Sequence, residues 1–200
     1  MEVCMKGNKF KLVVVITILA AMLILYYYSL SSERTTKKKS NEIKEKKEIT
    51  KLIEKDLDNS YPKTPREVVR LYSRMIKCFY GGDYSDDELK LLAVQAQKLM
   101  DDELLKHNEF DEYYSNLTKD IDEYKKQGKI ISTYILESSK DVEYKKLEDK
   151  QYAMVRCIYY TKQKKKTEKT NQEYVLRKDD NNNWKILYWN LFDDEDKENE

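Results

Sequence analysis

TPREVVRLYSRMIKCFYGGDYSDDEL occupies residues 64–89, and its punctuation decides the fold. Thr64, Pro65 and Glu67 are spaced as a capping box with proline at the first helical position. On a helical wheel Val68, Val69, Leu71, Tyr72, Met75, Ile76, Phe79 and Tyr80 share one broad arc. Arg66, Glu67, Arg70, Ser73, Arg74 and Lys77 share the other. The stripe Arg66–Arg70–Arg74 therefore reads as the wet side of a packed helix, with contact to an anion or partner as the competing reading. Gly81-Gly82 ends the helix, and Ser85 with Glu88 opens a second capping box.

Downstream, the second helix runs to about Met100, and a polar bridge, DDELLKHN, follows it. Phe110, Tyr113, Tyr114, Leu117, Ile121 and Tyr124 recur at steps of three and four, which predicts a third helix over about 109–127. Lys125 and Lys126 suit its negative end, and Gly128 its stop. The period then changes to two. KIISTYILES (129–138), QYAMVRCIYYTK (151–162), TNQEYVLRKD (170–179) and NWKILYWNLF (183–192) are β-rich, and DVEYKKLEDK adds a candidate short strand. KQKKKTEK and DDNNN read as the turns between the later strands. Three helices followed by an antiparallel meander make the class α+β. Trp184, Ile186 and Tyr188 alternate with Leu187, Trp189 and Leu191. One sheet face should thus cover the helices, and the other should line a cavity, meet a partner or stay partly exposed.

Upstream, LVVVITILAAMLIL (12–25) and the three tyrosines after it form an uncharged run long enough to span a bilayer. Tyr26, Tyr27 and Tyr28 suit an interfacial aromatic belt. We read residues 1–30 as a cytoplasmic tail and an uncleaved signal anchor through Leu12–Leu30; a signal peptide cleaved near Ser31 is the competing reading. Lysines flank the run on both sides, so charge alone does not orient it. A short N-terminal tail favours a single-pass cell-membrane protein with its C-terminal domain extracytoplasmic. Residues 31–60 read as a charged, partly helical stalk, with a weak coiled-coil contact through Ile49, Ile53 and Leu57 as the alternative. The folded domain is expected over 61–192, with an acidic, disordered tail over 193–200.

Charged residues are 38% of the 200, yet the net charge is +1, which excludes the dominant basic field of a nucleic-acid binder. The 17 tyrosines suit cores with wet edges and recognition surfaces. Three cysteines, Cys4, Cys78 and Cys157, are too few for a disulfide framework; whether Cys78 and Cys157 pair stays open at this level. A single histidine, His107, leaves little for zinc or for histidine-based mechanisms. No phosphate-binding loop, Gly-x-Ser-x-Gly or Cys-x-x-Cys occurs, and Asp101, Asp102 and Glu103 lack calcium-loop spacing. No catalytic residue, metal ligand or cofactor is therefore assigned. The expected lining of a pocket or sheet interface is Tyr134, Tyr159, Tyr160, Tyr174, Trp184, Tyr188 and Trp189.

TPREVVRLYSRMIKCFYGGDYSD, together with Trp184-Lys185-Ile186 near the end of the meander, resembles nuclear-transport-factor-2-like (SnoaL-like, cystatin-like) domains over about 61–192. The same motif resembles a family of single-span membrane proteins from clostridial bacteria. The fold resemblance implies a curved sheet wrapped around helices, a cone-shaped pocket and frequent homodimerisation through the sheet. Enzymes of that class place an Asp, His or Tyr in the cone, and none maps onto a position here. The expected function is a membrane-anchored, extracytoplasmic, non-catalytic domain that binds a protein partner or small ligand, as in a cell-envelope assembly or secretion-type subunit. The alternative is a small-molecule isomerase or hydrolase using the cone.

Overall fold

The computed structural model describes residues 22–23, 26–27 and 44–192. The chain divides into two compact units, Met1–Lys44 and Glu45–Glu200. In the first, Met22, Leu23, Tyr26 and Tyr27 are helical and exposed. The rest of the expected Leu12–Leu30 span lies outside the described residues, as does the acidic tail. Among the described residues no helix is long and apolar enough to cross a membrane.

The second unit is α+β. Residues 45–53 are helical (α1). Then come α2 (Pro65–Phe79), α3 (Asp86–Gln97), α4 (Asp102–Lys106) and α5 (Phe110–Gln127). Both expected capping boxes form: Thr64 with Glu67, and Ser85 with Glu88. Gly128 ends α5 in the left-handed region, at φ 63°. The polar bridge holds the short helix α4, capped by the Asp101 carboxylate.

Five antiparallel strands follow: β1 (Lys129–Leu136), β2 (Glu143–Leu147), β3 (Lys150–Gln163), β4 (Lys166–Lys178) and β5 (Trp184–Leu191). β1 and β2 pair with successive stretches of β3, and β4 and β5 extend the sheet beyond it. The lysine-rich KQKKKTEK, expected as a loop, is mostly strand, because Gln163 pairs with Lys166 and only Lys164-Lys165 turns. Backbone pairing tolerates exposed charge, and Lys166 bonds Glu168 at 2.9 Å on this hairpin.

Two tight turns place a side chain where glycine is favoured. Glu148 and Lys164 are first in two-residue loops, with φ of 54° and 53°. Lys164→Gly is expected to raise stability by about 0.5–1 kcal/mol, since it relieves the left-handed penalty at an exposed site. Chemical denaturation checks this, and a loss of stability would count against the turn geometry.

One face of the sheet carries the core. Ala153, Val155, Cys157, Tyr159 and Thr161 of β3 alternate inward and are buried, as are Tyr174 and Leu176 of β4 and Trp184 and Ile186 of β5. They meet Val68, Val69, Tyr72, Met75 and Phe79 of α2 and Leu92, Ala93 and Ala96 of α3. Cys78 and Cys157 are separate, buried thiols.

Two expectations need correction. The charged stretch 31–60 reads as a stalk, yet its Ile49, Leu52 and Leu57 are all buried in the main core, and the compact unit begins at Glu45 instead of Tyr61. Their spacing makes one apolar stripe amid dense charge, and burying that stripe is what holds α1 on the domain. Gly82 admits this packing: a Cβ there would lie 2.7 Å from the Cys78 carbonyl oxygen and 3.2 Å from Ile49 Cδ1. The arginine stripe is likewise not simply wet. Arg74 pairs with Glu48 of α1 at 2.6 Å, and Arg66 donates to the Glu137 carbonyl at 2.7 Å. Arg70 alone of the three is exposed, while Ser73, expected outside, is fully buried.

Candidate functional site

A cleft of about 320 Å³ opens between α2, α5 and the inner sheet face. The helical period delivers Tyr72, Ile76 and Tyr80 from α2, and Tyr113, Asn116, Leu117, Asp120 and Tyr124 from α5. The strand period delivers Ile131 of β1, Tyr159 and Thr161 of β3, and Thr170, Gln172 and Tyr174 of β4. Trp189 of β5 and Asn108 complete it.

A one-way chain of hydrogen bonds underlies the floor. The Tyr174 hydroxyl donates to Gln172 Oε1 at 2.8 Å, so the 2.8 Å contact between the Tyr159 and Tyr174 hydroxyls is a donation by Tyr159. The 2.7 Å contact of Ser73 Oγ with the Tyr159 hydroxyl is then a donation by Ser73, which leaves Cys157 as the donor across 3.5 Å to Ser73. Each hydroxyl has one proton, so the direction follows from the amide end alone. Such a chain fixes Tyr159 and Tyr174 in place.

The rings pack in two groups. Tyr72, Tyr174 and Trp189 touch mutually, with centroids 5.9 to 6.2 Å apart. Tyr80 and Tyr124 lie 4.5 Å apart on the other side. Both separations fall in the range of favourable aromatic pairs.

Burial pushes the hydroxyls of Tyr72, Tyr159 and Tyr174 far above the ordinary phenol range, and those of Tyr80 and Tyr113 well above it. Burial also pushes the Cys78 thiol up to about 11. A group raised in the folded state contributes stability that is complete below its unfolded value and lost as pH rises. Stability should therefore hold near pH 7–8 and fall above roughly pH 9–10. The slope should steepen by about 1.4 kcal/mol per pH unit for each buried tyrosine. Thermal melts across pH, read together with tyrosinate absorbance, check this; tyrosinate in amounts that require the buried rings, appearing well before unfolding, would contradict it.

Three of the seven expected residues, Tyr159, Tyr174 and Trp189, line the cleft. Tyr134 does not line it, although its ring centroid lies 6.3 Å from that of Tyr159. Trp184 is buried elsewhere, against Tyr144 and the Lys178 ammonium. Tyr160 and Tyr188 belong to the opposite sheet face: Tyr160 lies one residue from inward Tyr159, and Tyr188 pairs with Val175, next to inward Tyr174. Tyr72, Tyr80, Tyr113 and Tyr124 also line it, which the sequence does not single out because helical periodicity puts core and cleft residues on one arc. Among the described residues no group of three His, Cys, Asp or Glu could hold a metal ion.

Fold and site together define an α+β domain with a polar, tyrosine-walled cleft between its helices and its sheet. The chain belongs to the family described as a domain of unknown function (DUF6715), whose model matches residues 1–189. No curated protein matches the chain significantly.

Proposed function

We propose that this chain is a membrane-anchored, extracytoplasmic binding domain of nuclear-transport-factor-2-like, cone-shaped build, which holds a protein partner or small ligand and does no chemistry on it. The observation that carries this reading is the lining of the cleft, which is tyrosine, tryptophan, amide, threonine and aliphatic side chains with a single carboxylate. Neutral phenols bind by donating and accepting hydrogen bonds, but they are poor bases. Asp120, the one carboxylate of the lining, is exposed.

The membrane part rests on the uncharged run through Leu12–Leu30. The family match spans that run and the folded domain, so the two travel together. A subunit of a cell-envelope assembly is the setting this layout suits. The outer sheet face offers Ile135 and Tyr188, 53% and 44% exposed, for a homodimer or an envelope partner.

Cysteine labelling in intact cells tests the topology. Cys78 and Cys157 are buried, so a membrane-impermeant maleimide should react with Lys165→Cys in an exposed turn and spare Cys4. Labelling of Cys4 alone would reverse the orientation. Crosslinking in the same cells should trap a dimer or partner; recovery of monomer alone would count against the binding reading.

A further inference from the structure

The chemistry of the cleft narrows its occupant. No Lys, Arg or His is among its lining residues, so nothing in the wall would neutralise an anion. Its single carboxylate, Asp120, is exposed. The deep end holds Tyr72, 4% exposed, and Thr161, 7% exposed. Neither hydroxyl has a side-chain hydrogen-bond partner among the described residues, although the neighbouring Tyr159 and Tyr174 hydroxyls are fully engaged. Both hydroxyls reach the open cleft, so each is free to bond a group that enters it.

A neutral group fits this wall best, because no basic side chain lines it and its one carboxylate is exposed, although its aromatic faces would also attract a cation. It is also amphoteric in hydrogen bonding, since hydroxyls and the Gln172 amide offer both donors and acceptors. Between these polar points stand flat aromatic faces, Trp189 and the Tyr80–Tyr124 pair, which would cover the apolar side of a ring. A cleft of about 320 Å³ holds a unit of one or two sugar rings and sits at the small end of ligand pockets.

We infer that the cleft binds an uncharged, hydroxyl-bearing ring, a neutral saccharide, with Tyr72 and Thr161 bonding its buried hydroxyls and Trp189 stacking on its face. This rests on the binding reading above and names the ligand class for the same site.

Full-length chain in a detergent without a sugar headgroup is titrated with glucose, N-acetylglucosamine, cellobiose, choline and galacturonate. The chain has two tryptophans, so Trp184→Phe leaves Trp189 as the one fluorescent reporter. Saturation-transfer NMR on the unaltered chain gives a second readout, independent of that variant. At least one neutral saccharide should shift Trp189 emission saturably and receive transfer, whereas choline and galacturonate should not. Tyr72→Phe should weaken that saccharide about fivefold, the loss of one hydrogen bond, while Tyr160→Phe on the opposite face leaves it within twofold. Binding of choline with loss in Asp120→Asn would overturn the inference in favour of a cation. No response to any neutral saccharide would also overturn it, even if crosslinking recovers a protein partner; in that case the binding reading survives and the saccharide does not.

Discussion

A chain trimmed to begin at Tyr61 is expected to lose its cooperative unfolding transition, while one beginning at Ser40 keeps it. The shorter chain lacks Ile49, Leu52 and Leu57, all buried in the main core. Burial of each such side chain is worth roughly 1.5–3 kcal/mol, so their joint removal costs about 5–9 kcal/mol. A domain of this size has a total stability of about 5–15 kcal/mol. The trim also removes the Ile53 and Lys55 carbonyls that accept from the Gln95 amide at 2.8 and 3.3 Å, and Glu48, the partner of Arg74. Within the full chain, Leu52→Ala alone should cost about 2–5 kcal/mol. Far- and near-ultraviolet circular dichroism melts of the two truncations decide the matter. Equal midpoints would mean that α1 rests on the domain without stabilising it.

The charge pattern around these residues hides the edge of the domain. NEIKEKKEITKLIEKDL is so dense in charge that composition suggests a spacer. Ile49, Leu52 and Ile53 nevertheless stand at the three- and four-residue steps of a helix stripe, and Leu57 follows one turn later. One stripe of this kind cannot say whether it meets a core, a second copy or nothing. The local signals were far more legible. Thr64 with Glu67, Ser85 with Glu88, and Gly128 each act through their own backbone, so they form wherever the chain goes.

The cleft was half legible for a related reason. Alternation in a strand identifies a face only while the register is unbroken. Trp184, Ile186 and Tyr188 alternate in sequence and would share one face. The ladder instead pairs Leu176 with Ile186 and Val175 with Tyr188, so Leu187 is an extra residue and the parity flips beyond it. Trp184 and Ile186 stay inward, Tyr188 turns outward, and Trp189 takes the place in the cleft. The β1 ladder shifts in the same way, with Ile131 opposite Thr161 and Thr133 opposite Tyr160. Neither bulge carries a glycine or proline that would have announced it.

Asp101→Ala is expected to destabilise the domain by about 3–5 kcal/mol, more than an exposed ion pair could account for. Asp101 and Arg177 are 5% and 15% exposed, and the guanidinium of β4 grips the carboxylate through both Nε, at 3.1 Å to Oδ2, and Nη2 to Oδ1. The Asp101 carboxylate beside it holds Arg177 above even the usual arginine range. Asp101 Oδ1 also accepts from the Glu103 amide at 2.9 Å, which caps α4. Its own amide donates to the Ile186 carbonyl at 2.8 Å, and the Ile186 amide donates to the Leu99 carbonyl at 2.8 Å. One residue thus ties α4, β4 and β5 together, and its removal leaves a buried guanidinium with only Glu103, at 3.1 Å and largely exposed, as an ionic partner. Arg177→Met alone should cost about as much, because it strands the carboxylate instead. The double variant Asp101→Leu, Arg177→Met leaves neither charge unpaired, so its loss should fall well short of the summed singles. Urea unfolding of the four proteins gives the coupling directly. Singles that lose under 1 kcal/mol, or a double that loses their full sum, would show that the pair acts as two independent surface charges.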